Sequence, residues 1–473
     1  MKKRSYIIIF LVILIICFAG GGGFYFFAGS SAEIPESRTS PNIVFLLIDT
    51  LRADRVGYHG NLNDTTPVLD SYSRKGIRFM NAYSHSSHTK ISMASLFTGL
   101  IPPSHGLRKA GSVKEIFDES AKLKSDVLSE DAFTLAELLK KNGYTTIGVH
   151  CNPHLVERMG FDQGYDEYIY IPNNPRANRL NKLGLKKLGK DPSEPFFLYL
   201  HYMDVHAPYK PPPSYKNLFT KGLRKTRPIY INGPYNRRVS ENQIQYTKAI
   251  YDAQIRYWDH EFKSLIKRLN KSGALDNTLV IIASDHGEEF HEHGGFGHGF
   301  TCYEEMLHVP LVMVWPGVIP ESLTREDRVR LIDLVPTITR LCGIDAKRTD
   351  WQGRDLFACG WEEKDKLFYK DKSNPETLPV YAETYNGRIP RSLRKGDMKL
   401  IYNKKRNLYE MYNLEKDPAE QNKLSPKNTA RGLQLKKELK MLINLSPATE
   451  TGPEVELEED RVKELKSLGY FND

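Results

Sequence analysis

Four short apolar runs end abruptly in groups that can bind a cation or move a proton. Residues 43–48 end at Asp49, and 279–283 run into Asp285 and His286. Residues 196–200 lead to His201, Asp204 and His206, and 145–149 to Asn152 and His154. Carboxylates and imidazoles at strand ends are the donor types of a divalent-metal centre. A histidine among them can protonate a leaving oxygen, since its ordinary pKa is about 6.5. One such residue alone reads as a surface group. Four runs with the same layout point to a single cleft and an active site.

The elements that must position these groups follow from the same runs. Continuous apolar stretches of this length fit strands buried on both faces, as in a parallel sheet. Helical stretches lie between them, at 134–141 and 243–269. In such sheets ligands bind beyond the carboxyl ends of the strands, where these polar residues fall. The stretch 172–240, rich in Lys, Arg, Pro and Asn, reads as long loops carrying one strand. Its basic residues form either a solvated face or the rim of the cleft. No internal repeat is visible.

The chain has 473 residues and 40% apolar composition, which supplies a sizeable core and excludes wholesale disorder. Five cysteines without a CxxC pattern exclude a disulfide scaffold and a structural zinc finger. The net charge of +9 is compatible with nucleic acid, an anionic membrane or an anionic substrate. Lys2, Lys3 and Arg4 precede an almost uncharged run over 6–28, long enough to span a bilayer core of about 30 Å. This predicts a transmembrane helix with a cytoplasmic N-terminus and an extracytoplasmic remainder. A signal peptide cleaved near Ser30 or Ala32, or a lipid on Cys17, are the alternatives. The extracytoplasmic placement excludes nucleic acid and leaves an anionic ester, part of a surface lipid or glycan, as the expected partner. The domain plan is an anchor or signal (1–28), a linker (29–40), a catalytic domain (41–345), a C-terminal subdomain (346–447) that opens with a connector, and an acidic tail (448–473). Oligomeric state is not legible.

The chain resembles the sulfatase family of the alkaline-phosphatase superfamily. The resemblance is carried by PNIVFLLIDTLRAD at 41–54, TPVLD at 66–70, GIRFMNAY at 76–83 and TKISMASLFTGLIPPSHG at 89–106. It continues through FFLYLHYMDVHAPY at 196–209, SDHGEE at 284–289, HG at 298–299, YEEMLHVP at 303–310, LIDLVPT at 331–337 and LYEMYNLEKDP at 408–418. It implies an α/β fold: a large mixed sheet with helices on both faces and a small C-terminal antiparallel sheet. Strand-like stretches around Tyr381, 399–402 and 407–412 suit the latter.

The resemblance also distributes roles. Thr89 falls where the family nucleophile sits. A sulfatase converts a Cys or Ser there to formylglycine, but a threonine, as a secondary alcohol, yields no aldehyde. It can still attack phosphorus, as in the superfamily branch with a Thr nucleophile, which includes phosphoethanolamine and glycerol-phosphate transferases. The usual Pro and Arg of the signature are Ile91 and Met93, and the second of the usual paired aspartates is Thr50. Asp49, Thr89, Asp285 and His286 are the expected ligands of one divalent metal, with the imidazole favouring Mn²⁺ or Zn²⁺ over Ca²⁺. Asn152, His154, His206 and His298 are the expected substrate-binding residues. His154, His206 and His298 join Thr89 as catalytic candidates, with His206 and His298 equal candidates for the general acid. Four functions remain open. These are a phosphate-ester (phosphodiester) hydrolase, a phosphoryl transferase to a lipid or glycan hydroxyl, a sulfatase without formylglycine, and a non-catalytic glycan binder. His291 and His293 read as a solvated loop, His85, His88 and His105 as loop-bonding, Arg52 and Asp54 as an ion pair, and Cys302 as a buried thiol.

Overall fold

The computed structural model describes residues 40–107, 124–189, 195–234, 238–346, 350–358, 378–384, 390–427, 429–445 and 452–468. Eight strands form one mixed sheet in the order Leu323–Arg330, Ile77–Tyr83, His308–Val314, Thr278–Ala283, Asn42–Ile48, Phe196–Tyr202, Thr145–His150, Glu167–Tyr170. His308–Val314 runs antiparallel to both neighbours, and every other pairing is parallel. The four strands expected to end in ligands are therefore adjacent and parallel, and their carboxyl ends share one edge.

Period-two alternation divides the core between the two faces of this sheet. Ile43, Phe45 and Leu47 pack with Met93, Phe97, Leu135 and Ile338 on one side. Val44, Leu46 and Ile48 pack with Leu180, Tyr251, Trp258 and Phe262 on the other. The expected helices are Leu135–Lys141, begun by a reciprocal Thr134–Glu137 capping box, and Glu241–Lys271, capped by the Ser240 side chain.

The region after residue 172 departs from the loop expectation. Ala177–Leu188 is a helix burying Ala177, Leu180, Gly184 and Leu188, an i, i+3/i+4 stripe hidden in the sequence by interspersed Lys and Arg. The expected single-pass membrane placement is also corrected. Among the described residues no helix is long and apolar enough to cross a membrane. The run at 6–28 lies outside the described residues. The exclusion of nucleic acid, which rests on that placement, goes with it.

A second sheet is an antiparallel meander of Val380–Glu383, Pro390–Lys395, Met398–Asn403 and Leu408–Asn413. The helix Ala430–Ile443 covers it through Leu435 and Leu439. The short strand Glu454–Glu456 pairs with Lys124–Asp126, and the helix Glu459–Ser467 follows. Lys399 joins the meander to the main sheet. Its buried Nζ lies 3.0 Å from both Glu304 Oε1 and Glu420 Oε1. Removing one partner of a buried ionic cluster strands the others. Lys399→Met is therefore expected to destabilise the fold by about 3–5 kcal/mol, read as a lower denaturant midpoint with unchanged slope.

Candidate active site

Each apolar run ends where backbone geometry turns a side chain toward a common centre. Asp49 follows the central strand, and its amide still bonds the Tyr202 carbonyl at 2.9 Å. Thr50 then adopts a left-handed conformation (φ 60°), strained for a β-branched residue. That turn lets its amide reach Asp285 Oδ1 at 3.2 Å, tying the two strand ends together. Gly287 permits the chain to pass beside His286, because a side chain there would overlap the Glu305 carbonyl.

Thr89 is the first residue of the buried helix Thr89–Thr98, capped by His88 and stopped at Gly99. Its hydroxyl lies 3.2 Å from His286 Nε2 and 3.4 Å from Asp49 Oδ2. The positive end of the helix favours an anion at this point. Asp49 Oδ2 accepts from Asn152 Nδ2 at 2.7 Å and contacts His201 Nε2 at 2.9 Å. His201 Nδ1 meets the Tyr199 hydroxyl at 2.6 Å. With Tyr199 donating, the ring proton sits on Nε2 and points at Asp49.

Two carboxylate oxygens, Asp49 Oδ1 and Asp285 Oδ2, are buried without a hydrogen-bond partner among the described residues. His286 Nε2 stands 4.0 Å from the first and 3.4 Å from the second. Asp49, His201 and Asp285 bring ligand-type atoms within 4.8 Å of one another. With the His201 Nε2 proton turned to Asp49, the two carboxylates are the members of that group left to a cation. The electrostatics agree. Burial raises the Asp49 pKa, but His201, His206 and His286 outweigh it and hold the group far below the usual range. Asp285 is pushed up to about 6 by burial and the Asp49 charge. Burial opposes the His286 charge, yet Asp285 and Asp49 raise its pKa. Two facing carboxylates that cannot both ionise freely suit a site completed by a cation.

The remaining expected residues gather around this centre. His206 and His298 are buried with ring centres 4.8 Å apart, and His298 lies 4.7 Å from His286. His154 packs 4.9 Å from His88. Asn152 lies against Asp49 and also accepts from the His154 amide at 2.8 Å, so its contacts in the structure orient the carboxylate. Burial lowers the pKa of His206 to about 4 and holds those of His154 and His298 well below the ordinary value.

Two residues at the centre have no role in the sequence reading. His201 was visible only as a strand end. The alternation Phe197, Tyr199, His201 is the signal that places it on the face of the Thr89 helix. Glu288, fully buried, contacts His298 Nδ1 through Oε1 at 2.8 Å, and burial pushes its carboxyl up to about 7. Other histidines take quieter places. His85 meets the Tyr381 carbonyl and His105 the Ser95 hydroxyl. His293, expected in a solvated loop, pairs with Glu305 at 2.8 Å and stacks on Tyr303. Arg52 forms the expected ion pair with Asp54, and Cys302 is buried.

Comparison with known proteins adds to this geometry. Residues 41–344 match the sequence profile described as sulfatase, and 291–445 match that of the N-sulphoglucosamine sulphohydrolase C-terminal region. An arylsulfatase of Clostridium perfringens is 24% identical over 63% of this chain and 74% of its own length. Two further relatives are matched over 64% and 60% of their own length. A protein solved with its substrate D-glucosamine-2-N,6-O-disulfate superposes with a TM-score of 0.66 at 20% identity, over 85% of this chain and 97% of the other. The phosphonate monoester hydrolase of Agrobacterium radiobacter superposes with a TM-score of 0.64 at 17% identity, over 88% and 100%.

Proposed function

Since the chain belongs to the sulfatase family of ester hydrolases, we propose that it cleaves an anionic ester through Thr89, and that the ester is a phosphate, most simply a diester. The observation that carries this reading is the Thr89 hydroxyl, set at a helix N-terminus within 3.4 Å of both Asp49 and His286. A divalent ion held by Asp49, Asp285 and His286, with Thr89 beside it, would polarise the ester and lower the pKa of the attacking hydroxyl. The nitrogen donor favours Mn²⁺ or Zn²⁺ over Ca²⁺ in that place.

The chain's own residues carry the rest. Thr89 loses its proton toward Asp49 Oδ2 and forms the Oγ1–P bond as the bond to the leaving oxygen breaks. Of the two candidate acids, His298 supplies the proton to that oxygen, drawing on its contact with Glu288. His206, its pKa lowered to about 4 by burial, stands beside it as a neutral ring. Water then attacks the phosphorus of the Thr89 adduct, breaking the Oγ1–P bond, releasing the remaining phosphate monoester and returning a proton to the hydroxyl. An acceptor alcohol on a lipid or glycan in place of water would make the same site a transferase. A sulfate ester is the second reading, favoured by the arylsulfatase relative. It requires direct displacement, because threonine gives no aldehyde.

The test is a panel of aryl phosphate monoester, phosphodiester, phosphonate monoester and sulfate ester, assayed with Mn²⁺ or Zn²⁺. Turnover of a phosphorus ester is expected to dominate, and turnover of the sulfate ester alone would sink the phosphoryl reading. A pH prediction follows from Glu288. The Glu288–His298 pair keeps a proton available up to about pH 7, where Glu288 ionises. Activity that needs this proton is full below that point and falls above it. Glu288→Gln is expected to lower kcat on the order of 10²-fold and to flatten the alkaline limb of the pH–rate profile near 7.

A further inference from the structure

His88 precedes the nucleophile and takes no part in the steps above. It is buried and caps the helix Thr89–Thr98, its Nδ1 accepting from the Lys90 amide at 3.3 Å. A ring that accepts through Nδ1 is neutral and carries its proton on Nε2. Burial, and the nearby His298 and His286, hold its pKa well below the ordinary value, in keeping with that state. Capping alone does not explain a histidine here. Asn, Asp, Ser and Thr are the favoured caps, and a serine would satisfy the same amide without burying a second ring nitrogen.

That second nitrogen lies on the side of the reaction centre. The ring packs edge-on to His154, with centres 4.9 Å and planes 64° apart. Its Cδ2, the carbon bonded to Nε2, borders the turn that carries His298: a Cβ at Gly299 would lie 3.5 Å from it. The Lys90 amide is occupied by Nδ1, so this part of the helix's positive end reaches the centre only through the ring. The hydrogen bond into Nδ1 polarises the imidazole and strengthens Nε2–H as a donor.

We propose that His88 binds the phosphoryl group, its Nε2–H donating to a non-bridging oxygen of the group that Thr89 attacks. This deepens the hydrolase reading and, for turnover, rests on it. Charge that builds on that oxygen during attack meets a donor already in place, supplied by the residue next to the nucleophile, and no proton is transferred. The same contact holds a phosphate ion.

The test separates the two ring nitrogens. In His88→Asn the carboxamide oxygen takes the place of Nδ1 and keeps the cap, but no donor stands at Nε2. In His88→Gln the longer carboxamide returns an N–H to the Nε2 position and the cap is weakened. The full chain in Mn²⁺ is titrated calorimetrically with inorganic phosphate, kcat/KM is measured on an aryl phosphodiester, and the denaturant midpoint reports the cap. His88→Asn is expected to keep its midpoint, bind phosphate about tenfold more weakly or worse, and lose on the order of 10²-fold in kcat/KM. His88→Gln is expected to unfold at lower denaturant yet keep affinity and kcat/KM within about fivefold. Unchanged phosphate affinity in His88→Asn, unchanged kcat/KM in an active His88→Asn protein, equal losses in both variants, or no phosphate binding by the wild type overturns the assignment. Wild-type turnover that His88→Asn matches sinks His88 and leaves the hydrolase reading standing. A wild type that binds phosphate through His88 yet turns over no ester sinks the hydrolase reading and leaves the phosphate contact.

Discussion

Thr89→Ala is expected to lower kcat by roughly 10⁴-fold or more on every ester the wild type turns over, with far-UV circular dichroism and denaturant midpoint little changed. The side chain is fully buried, but it is small and begins a helix capped independently by His88. Losing one hydroxyl and one methyl there removes chemistry and leaves the frame. The substitution takes away the atom that bonds to phosphorus, so Asp49, Asp285 and His286 have nothing to activate. Thr89→Ser keeps the oxygen and should retain activity within about tenfold. A trapped phosphoryl group on Thr89, found by peptide mass spectrometry after brief reaction with an activated aryl phosphate, would identify the same atom. Undiminished activity in Thr89→Ala would remove the nucleophile assignment outright. A Thr89→Cys protein that gained sulfate-ester turnover would move the weight toward the sulfate reading.

The placement of Thr89 shows how much of this site the sequence contained. The four central strands were legible because a strand buried on both faces must be apolar throughout, so its end is sharply marked by the first charged residue. Adjacent parallel strands then bring those ends to one edge without any long-range information. Asp49, Asp285 and His286 came from that rule together with the resemblance, and the geometry around Thr89 gathers all of them. What escaped was of two kinds. Ala177–Leu188 escaped because its apolar stripe is thin, and Lys182, Lys186 and Lys187 fill the remaining helix surface. His201 and Glu288 escaped because they act on other side chains. A residue whose contact is Asp49 or His298, set by tertiary packing, leaves no spacing signature of its own. The N-terminal run illustrates the opposite error, in which an apolar stretch and the basic residues before it supported a single-pass topology that the described helices do not bear out.

Metal removal is expected to have the other large effect. Dialysis against a strong chelator should lower activity by on the order of 10³-fold or more, and Mn²⁺ or Zn²⁺ should restore it where Ca²⁺ does not. Asp49 Oδ1 and Asp285 Oδ2 face the centre without hydrogen-bond partners among the described residues. Unpaired carboxylate oxygens in a water-poor interior are costly, and a cation offsets that cost far better than a single ordered water. Asp285, pushed up to about 6, shows what the pair does when no cation intervenes, since it holds a proton well above its ordinary range. Cation binding must expel that proton and the one that Asp285 and Asp49 favour on His286, so affinity should rise with pH through about 6 and keep rising until His286 is neutral. The bound metal should also raise the denaturation midpoint. Asp285→Asn tests the same point without a chelator, because it removes the charge and nearly preserves the shape. It should purify without stoichiometric metal and lose the step in affinity near pH 6 that Asp285 carries. Elemental analysis showing only calcium in the active wild type would count against His286 as a ligand. A stoichiometric metal that survives Asp285→Asn would place the ion elsewhere and leave the two orphaned oxygens to be explained by protonation alone.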